Sequence, residues 1–551
     1  MKPKLLALNR IYLFVATLSM VYFFTGCQKE NLDNPANSQD EIISSARQSS
    51  ETPYKEGTNT ILGEKKKNPY AVDNMTVAWQ NLANQGVNSN SNAQVFTSHL
   101  YVKFAPQNSD EYEILHEDTT LSFSDYPIES NIVQNGDYYH DPTLPDSIPT
   151  YQYTAVPIDY KFPEGIKYEI LEKLYIPETD PIFKYEIGGT EDCFVDKLLN
   201  EAYKLTGNDE DIIDVNDCEA TAQRCFPPGG RIRVFDTRMQ QWIGMEGVRV
   251  QARRWFTYYN AYPDFNGNYR MNRCFRRPCN YSIWFARDRF AVRHNVVNTT
   301  FWVNGPKISG DWNYDLNNSY QRFAGHVFRG GFRYHNKDIG GLQRPYRWLR
   351  HRTVYVAKDG YKDWSGVNWI VLPIIKIARY ETKSSEYDSD EIFSTTCHET
   401  GHTSHVIRMN AGPIQFWQVS TQIQESWAVG IEWFLTHLEY NDRGISNYGE
   451  WNYHPANWPQ YPNDRAYQYW TASLDRDYTS LFINLCDKEN DSALWFLTGS
   501  PDDNVEGYTI PFIENKIIKH SYGLTSLGNE LKNNKPTGVT DAQIDQLLSF
   551  Y

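Results

Sequence analysis

The sequence predicts a multidomain α+β protein, built from an accessory α+β domain, a small β-sandwich and a mainly helical last domain. Three observations carry this. The chain has 551 residues, more than a single hydrophobic core organises, so length alone favours three or four domains. Between Gly229 and Val297 apolar residues recur at every second position, the pattern of half-buried strands. From Asp388 to Tyr551 they recur mainly at helical spacing. The formal net charge of −15 argues against a general nucleic-acid binder.

The first residues read as an address. Lys2, Lys4 and Arg10 give a positive start, and Ile11 to Phe24 then run mostly apolar. That run is shorter than the roughly 20 residues a spanning helix needs, but it suits a signal peptide. It ends in Phe23-Phe24-Thr25-Gly26-Cys27, which resembles a bacterial lipobox. The resemblance implies a signal peptide over 1–26 and a lipid on Cys27. The following Gln28-Lys29-Glu30 is similar to the export signal of Bacteroidota surface lipoproteins. What this implies is an outer-membrane lipoprotein exposed at the cell surface and touching the membrane through its lipid anchor only. From Glu30 to Lys67 polar residues dominate, so 27–67 reads as a flexible tether.

Residues 68–180 form the accessory domain. Met75, Ala78, Trp79, Leu82 and Ala83 recur as on one helix face, and His99 to Phe104 alternates as a strand does. Residues 181–228 form an acidic connector whose clearest helix runs from Cys193 to Leu205. Residues 229–297 form the β-sandwich. Ile232 and Val234 alternate with Arg, as do Val248, Val250 and Ala252, then Tyr281, Ile283 and Phe285, with a turn at Asp264-Phe265-Asn266-Gly267. The strand, Gly-Val-x-Val strand, Asp-x-x-Gly turn and strand resemble the transthyretin-like domains attached to carboxypeptidases and to Bacteroidota surface proteins, which implies a structural module. Residues 298–551 make the last domain. In it, Trp369 to Ile377 is a strongly apolar strand whose Pro373 lacks a donor, so an edge position or a bulge is expected.

An exported chain can form disulfides. Cys274 can pair with Cys279 and Cys218 with Cys225, while the odd count after Cys27 leaves a free thiol, assigned to Cys397. No Cys-x-x-Cys pair exists, which disfavours a zinc knuckle. From Arg224 to Arg352 there are 23 Lys+Arg and 7 Asp+Glu, hence +16 (23 − 7). This basic middle either grips an acidic glycan or lipid head group, or docks against acidic segments of the same chain.

The chemistry lies in Cys397-His398-Glu399-Thr400-Gly401-His402-Thr403-Ser404-His405. Asp388 and Glu391 can form the capping box that starts a helix here. Residues four apart share a helix face, so His398 and His402 can offer two imidazoles to one metal. Glu399, one step round, can take a proton from water on that metal. Gly401 weakens the helix and marks a place where a neighbouring chain comes close. His405, at offset seven, lies about 10 Å along the axis from His398, too far for the same ion, so it is placed in the cleft. The third ligand is Glu425, a carboxylate among Trp427 and Ala428 on a second helix, with Glu432 as the alternative.

This arrangement resembles the gluzincin metallopeptidases, the thermolysin-like group. The resemblance implies a zincin-like catalytic domain over 298–551, zinc as cofactor, ligands at His398, His402 and Glu425, and Glu399 as base. It implies a peptide or protein substrate, added as an extended strand to the edge of Trp369–Ile377. Where that group orients a ligand His from the fourth position after the ligand Glu, this chain has Val429. A Tyr or His to stabilise the oxyanion is sought among His454, Tyr461, Tyr467 and Tyr469. The competing reading is a catalytically inactive zincin-fold surface protein that binds a glycan or a host protein.

Overall fold

The computed structural model describes residues 53–87, 94–183, 192–215, 225–294, 299–345, 352–361, 365–368, 374–382, 385–409, 416–445, 476–488, 490 and 501–551. The signal peptide, Cys27 and most of the tether lie outside them. The fold is mixed α+β with several sheets, and it divides into two compact units, one up to Arg329 and one from Gly330 onward.

The first unit begins with β1 (Ile61–Lys65), α1 (Val72–Asn84), β2 (His99–Ala105), α2 (Ser109–Glu117), β3 (Ser130–Gln134), β4 (Gln152–Pro157), β5 (Lys167–Leu174) and α3 (Asp192–Thr206). β4–β2–β5 is an antiparallel sheet, and α1 packs on α3 around Met75, Ala78, Leu82 and Leu198. The end of the expected tether is ordered. Tyr54 pairs with Asn135 and donates to Asp137 at 2.7 Å, and β1 pairs with β3. A polar average over 27–67 hides a short strand whose partner is some 70 residues away in sequence.

Next come β6 (Gly229–Asp236), β7 (Gln241–Gly244), β8 (Arg249–Arg254), β9 (Thr257–Ala261), β10 (Asn268–Arg270), β11 (Cys279–Trp284), β12 (Phe290–Arg293), β13 (Trp302–Ile308) and β14 (Tyr314–Leu316), which, apart from β12, form two four-stranded sheets. One sheet runs β10–β6–β14 with β7 also on β6, the other β13–β11–β8–β9. Ile232, Val234, Val250, Ala252, Tyr281 and Ile283 are fully buried, as their alternation requires. Both sheets use strands beyond residue 297, β14 in the first and β13 in the second.

The cysteines pair differently from expectation. Cys225 bonds Cys274, with Cα atoms 5.6 Å apart, because Phe226 and Phe275 bridge and bring the two segments side by side. Cys193 is also disulfide-bonded, and the free thiols among the described residues are Cys279, Cys397 and Cys486. Several basic side chains of the middle segment dock on acidic groups of the same unit. Arg254 pairs with Glu178 at 3.3 Å, Arg276 with Asp196 at 2.6 Å, and fully buried Arg293 with Glu113.

α4 (Ser319–Asn336) spans the division between units. Its first part bonds within the first unit, His326 to the carbonyl of Phe235 at 3.0 Å and Arg329 to Asp236 at 2.9 Å. In the second unit follow β15 (Thr353–Tyr361), β16 (Gly366–Asn368), β17 (Ile374–Thr382), β18 (Ser385–Glu386), α5 (Ser389–Arg408), α6 (Thr421–Asp442), α7 (Leu481–Asn484), α8 (Ile510–Lys516), α9 (Leu524–Asn533) and α10 (Asp541–Leu548). β17 is not an edge. It pairs in parallel with β15 from Ile374 to Tyr380, and antiparallel with β16 and β18 on its other side. An extended peptide therefore has no free edge on these residues. No described helix is long and apolar enough to cross a membrane.

Two outcomes follow from packing. A Cβ at Gly330 would lie 2.7 Å from Thr396 Cβ and 3.0 Å from the Phe393 carbonyl on α5. Overpacking costs about 1–3 kcal/mol and outweighs the roughly 1 kcal/mol that Ala gains in a helix. Gly330→Ala is expected to lower the melting temperature in calorimetry; an equal or higher value contradicts the close crossing.

Asp125 is buried, and burial lifts its carboxyl from 3.8 to about 7, although Gln152, Arg249 and Tyr112 pull it down. The folded state thus keeps a proton that the unfolded chain loses, and this contribution to stability is lost as pH rises from about 4 to about 7. Asp125→Asn is expected to raise the melting temperature more at pH 8 than at pH 4. A gain independent of pH would contradict the shifted carboxyl.

Candidate metal centre

α5 is started by the predicted capping box. The Asp388 side chain accepts from the backbone of Glu391, and Asp388 N donates to Glu391 Oε2 at 2.8 Å. The helix is buried along most of its length. Tyr355 of β15 shares a hydrogen bond of 2.9 Å with Thr400 Oγ1, and Ser404 donates to Glu514 at 3.1 Å, so the helix is held at its middle and near its end. α6 begins at the N-cap Ser420, whose hydroxyl accepts from Ile423 N. The two helices cross where Gly401 faces Ile431. A Cβ on Gly401 would stand 3.3 Å from Ile431 Cβ, so the residue that weakens the helix is also the one that admits its neighbour.

That crossing brings three side chains together. His398 and His402, with ring centroids 4.9 Å apart, both point Nε2 at the same oxygen of Glu425. The distances to Glu425 Oε2 are 3.3 Å from His398 and 3.1 Å from His402. All three residues are buried, and their donor atoms lie within 4.8 Å of one another, so the group could hold a metal ion.

The donor set fits such an ion. His398 Nδ1 donates to Glu432 Oε2 at 3.1 Å, which would keep the proton on Nδ1 and free Nε2 as a ligand if a cation took the place of the proton that Nε2 shares with Glu425. Burial alone would raise the Glu425 carboxyl, but the facing His402 and His398 hold it well below the ordinary carboxylate range. Burial alone would lower His398, but its bonds to Glu425 and Glu432 lift it to about 10. The pocket therefore favours positive charge between carboxylates, whether on a proton or on a cation.

The other expected residues fall as follows. Glu399 is buried on α5, and its charge adds to the rise at His398. His405 does not line a cleft. It is fully buried, edge-on to Phe416 at 5.1 Å and near Trp427 at 6.3 Å, with neither ring nitrogen hydrogen-bonded among the described residues. Burial, aided by His402, drives its pKa down to about 3, so the ring is neutral. Its place on the ligand face was legible; the side chains that cover it belong to other segments. Glu432 holds His398 at Nδ1 while Glu425 faces its Nε2, and Val429 packs with Tyr478 and Ile483. Tyr478 stacks on His398, with ring centroids 5.9 Å apart and planes at 16°. Nothing in the sequence marked it. His454, Tyr461, Tyr467 and Tyr469 lie outside the described residues.

No family model, no curated protein and no solved structure matches this chain. The residues of the site themselves must therefore carry any reading of its chemistry.

Carboxylates behind a ligand histidine typically change metal affinity about 10- to 100-fold. Glu432→Gln is expected to bind zinc that much more weakly in a competition titration against a chromogenic chelator, and His398→Ala to show no high-affinity site. Parent-like affinity in Glu432→Gln would remove Glu432 from the centre.

Proposed function

We propose that the protein is a zinc-dependent metallopeptidase of gluzincin type, anchored to the outer membrane by a lipid on Cys27. The observation that carries this reading is the convergence of His398 Nε2 and His402 Nε2 on one oxygen of Glu425, beside a buried Glu399. Two neutral imidazoles and one carboxylate suit zinc and leave a fourth position for water or substrate. Zinc bound there would polarise a substrate carbonyl and bring the pKa of water to about 7.

The chain's own groups divide the remaining work. Glu432 holds Nδ1 of His398, so that ring keeps Nε2 turned toward the metal position beside Glu425. Glu399, next to His398 in the chain, takes the proton of the attacking water on its carboxylate and passes it to the leaving amine. The side chains packed on α5 and α6 keep bulk water from the ligands, which strengthens each electrostatic contact.

General-base groups contribute about 10²- to 10⁴-fold in rate. Glu399→Gln is expected to retain one zinc per chain and to lose that much hydrolysis of a quenched-fluorescent peptide library. Chelation of the parent should abolish hydrolysis, and zinc should restore it. A parent that binds no zinc even when it is supplied, or a Glu399→Gln variant with full activity, would sink the reading and favour a binding protein without catalysis.

A further inference from the structure

The first unit contains a polar cavity of about 640 Å³ that the hydrolytic reading does not use. Three strands build one wall. In the register of β8, β11 and β13, Arg253 lies opposite Asn280, and Asn280 opposite Lys307. These three side chains form one rung across about 10 Å of sheet, the width of two strand spacings. Asn304 and Asn131 add two more amides to the lining.

The charges of this lining are not equivalent. Lys307 pairs with Asp211 at 2.6 Å, Arg254 with Glu178 at 3.3 Å, Lys66 with Glu210, and Glu129 with Lys65 at 3.1 Å. Arg253 differs. It contacts Tyr126, with the hydroxyl at 3.3 Å, and has no carboxylate partner among the described residues. It offers a planar fork of donors with its charge unbalanced. Asn131 and Asn280 are exposed and make no side-chain hydrogen bond among the described residues, while Asn304 Nδ2 donates to Asn135 at 2.9 Å and leaves its oxygen to accept. Amides both donate and accept, which matches sugar hydroxyls.

The end of this wall is held under strain. Arg254 pairs with Thr257, so Trp255 and Phe256 form a two-residue turn, and Trp255 has φ +49°. Glycine is the ordinary occupant of such a position, and a bulky residue there is strained. The Trp255 ring, packed near Tyr70 at 6.4 Å and Phe256 at 6.3 Å, offsets that strain and fixes the strand end that carries Arg253.

We propose that this cavity binds an anionic saccharide, with its acidic group on Arg253 and its hydroxyls on Asn131, Asn280 and Asn304. An extended peptide fits less well, because the recess offers one guanidinium and scattered amides rather than alternating pockets along a strand. One unbalanced guanidinium is too few for a nucleic-acid backbone, whose affinity grows with the number of phosphates neutralised.

The test presents the full chain to an array of uronate-, sialate- and sulfate-bearing saccharides with their neutral counterparts. Calorimetric titration with a galacturonate trisaccharide and a galactose trisaccharide accompanies it. Anionic sugars are expected to be retained over neutral ones. Arg253→Gln should weaken them about 10- to 100-fold, the range for a charged hydrogen bond, with an unchanged melting temperature. Asn280→Ala should weaken the same sugars without removing the preference for the acidic ones. No anionic sugar held above its neutral counterpart, parent-like binding by Arg253→Gln, or equal binding of a glutamate hexapeptide would each overturn the proposal.

Discussion

The second unit is organised around a buried carboxylate. Glu425 sits inside a helix pair, 7% exposed, among Trp427, Ala428 and Ile431. Taking an ion this far from water costs several kcal/mol unless opposite charge and hydrogen bonds meet it in good geometry. His398 and His402 meet it only if α5 and α6 cross at one height and one rotation. That requirement gives small residues their meaning. Gly401 admits Ile431 at the crossing, and Gly330 admits Thr396 where α4 reaches the other side of α5. The apolar cluster around Phe393, Trp427, Ile431, Leu435 and Phe482 then holds the crossing in place.

Much of this was legible because it depends on local periodicity. Two histidines four apart share a helix face whatever lies around them, and a carboxylate among Trp and Ala needs a partner wherever it is. The sequence reading fails where a second segment decides the outcome. His405 shares the ligand face, yet Phe416 and Trp427 cover it. Glu432 lies two turns beyond Glu425, and only the position of His398 gives one carboxylate the Nε2 side and the other the Nδ1 side. Apolar residues predict the strand around β17, but its neighbours β15 and β16, which remove the edge, leave no mark in it. The disulfide follows the same rule. Cys274 is near Cys279 in sequence, but the isolated bridge between Phe226 and Phe275 places it against Cys225.

The first unit shows how charge and function separate. Its basic middle is an excess of +16 in sequence, yet part of that charge is met internally by acids outside the segment, Glu113, Glu178, Asp196 and Asp211 among them. A count of charges therefore overstates the field available to a ligand, and what recognition can use is whatever the fold leaves unbalanced. Arg253 is such a group, and its worth lies in its position within a recess rather than in the number of cations around it.

Glu399 bears on whether the metal centre has chemistry beyond structure. Glu425 and Glu432 suffice for the hydrogen bonds that hold His398. A third carboxylate, buried beside them, adds negative charge where there are already two, and so makes a purely structural cluster harder to keep folded. Under the proposed reading that third carboxylate would be the base that takes a proton from water, a role for which its place on the helix that carries both histidines suits it, since a base must stand within hydrogen-bond reach of the proton it removes. The charge that burdens a structural cluster would then be the charge that the chemistry uses.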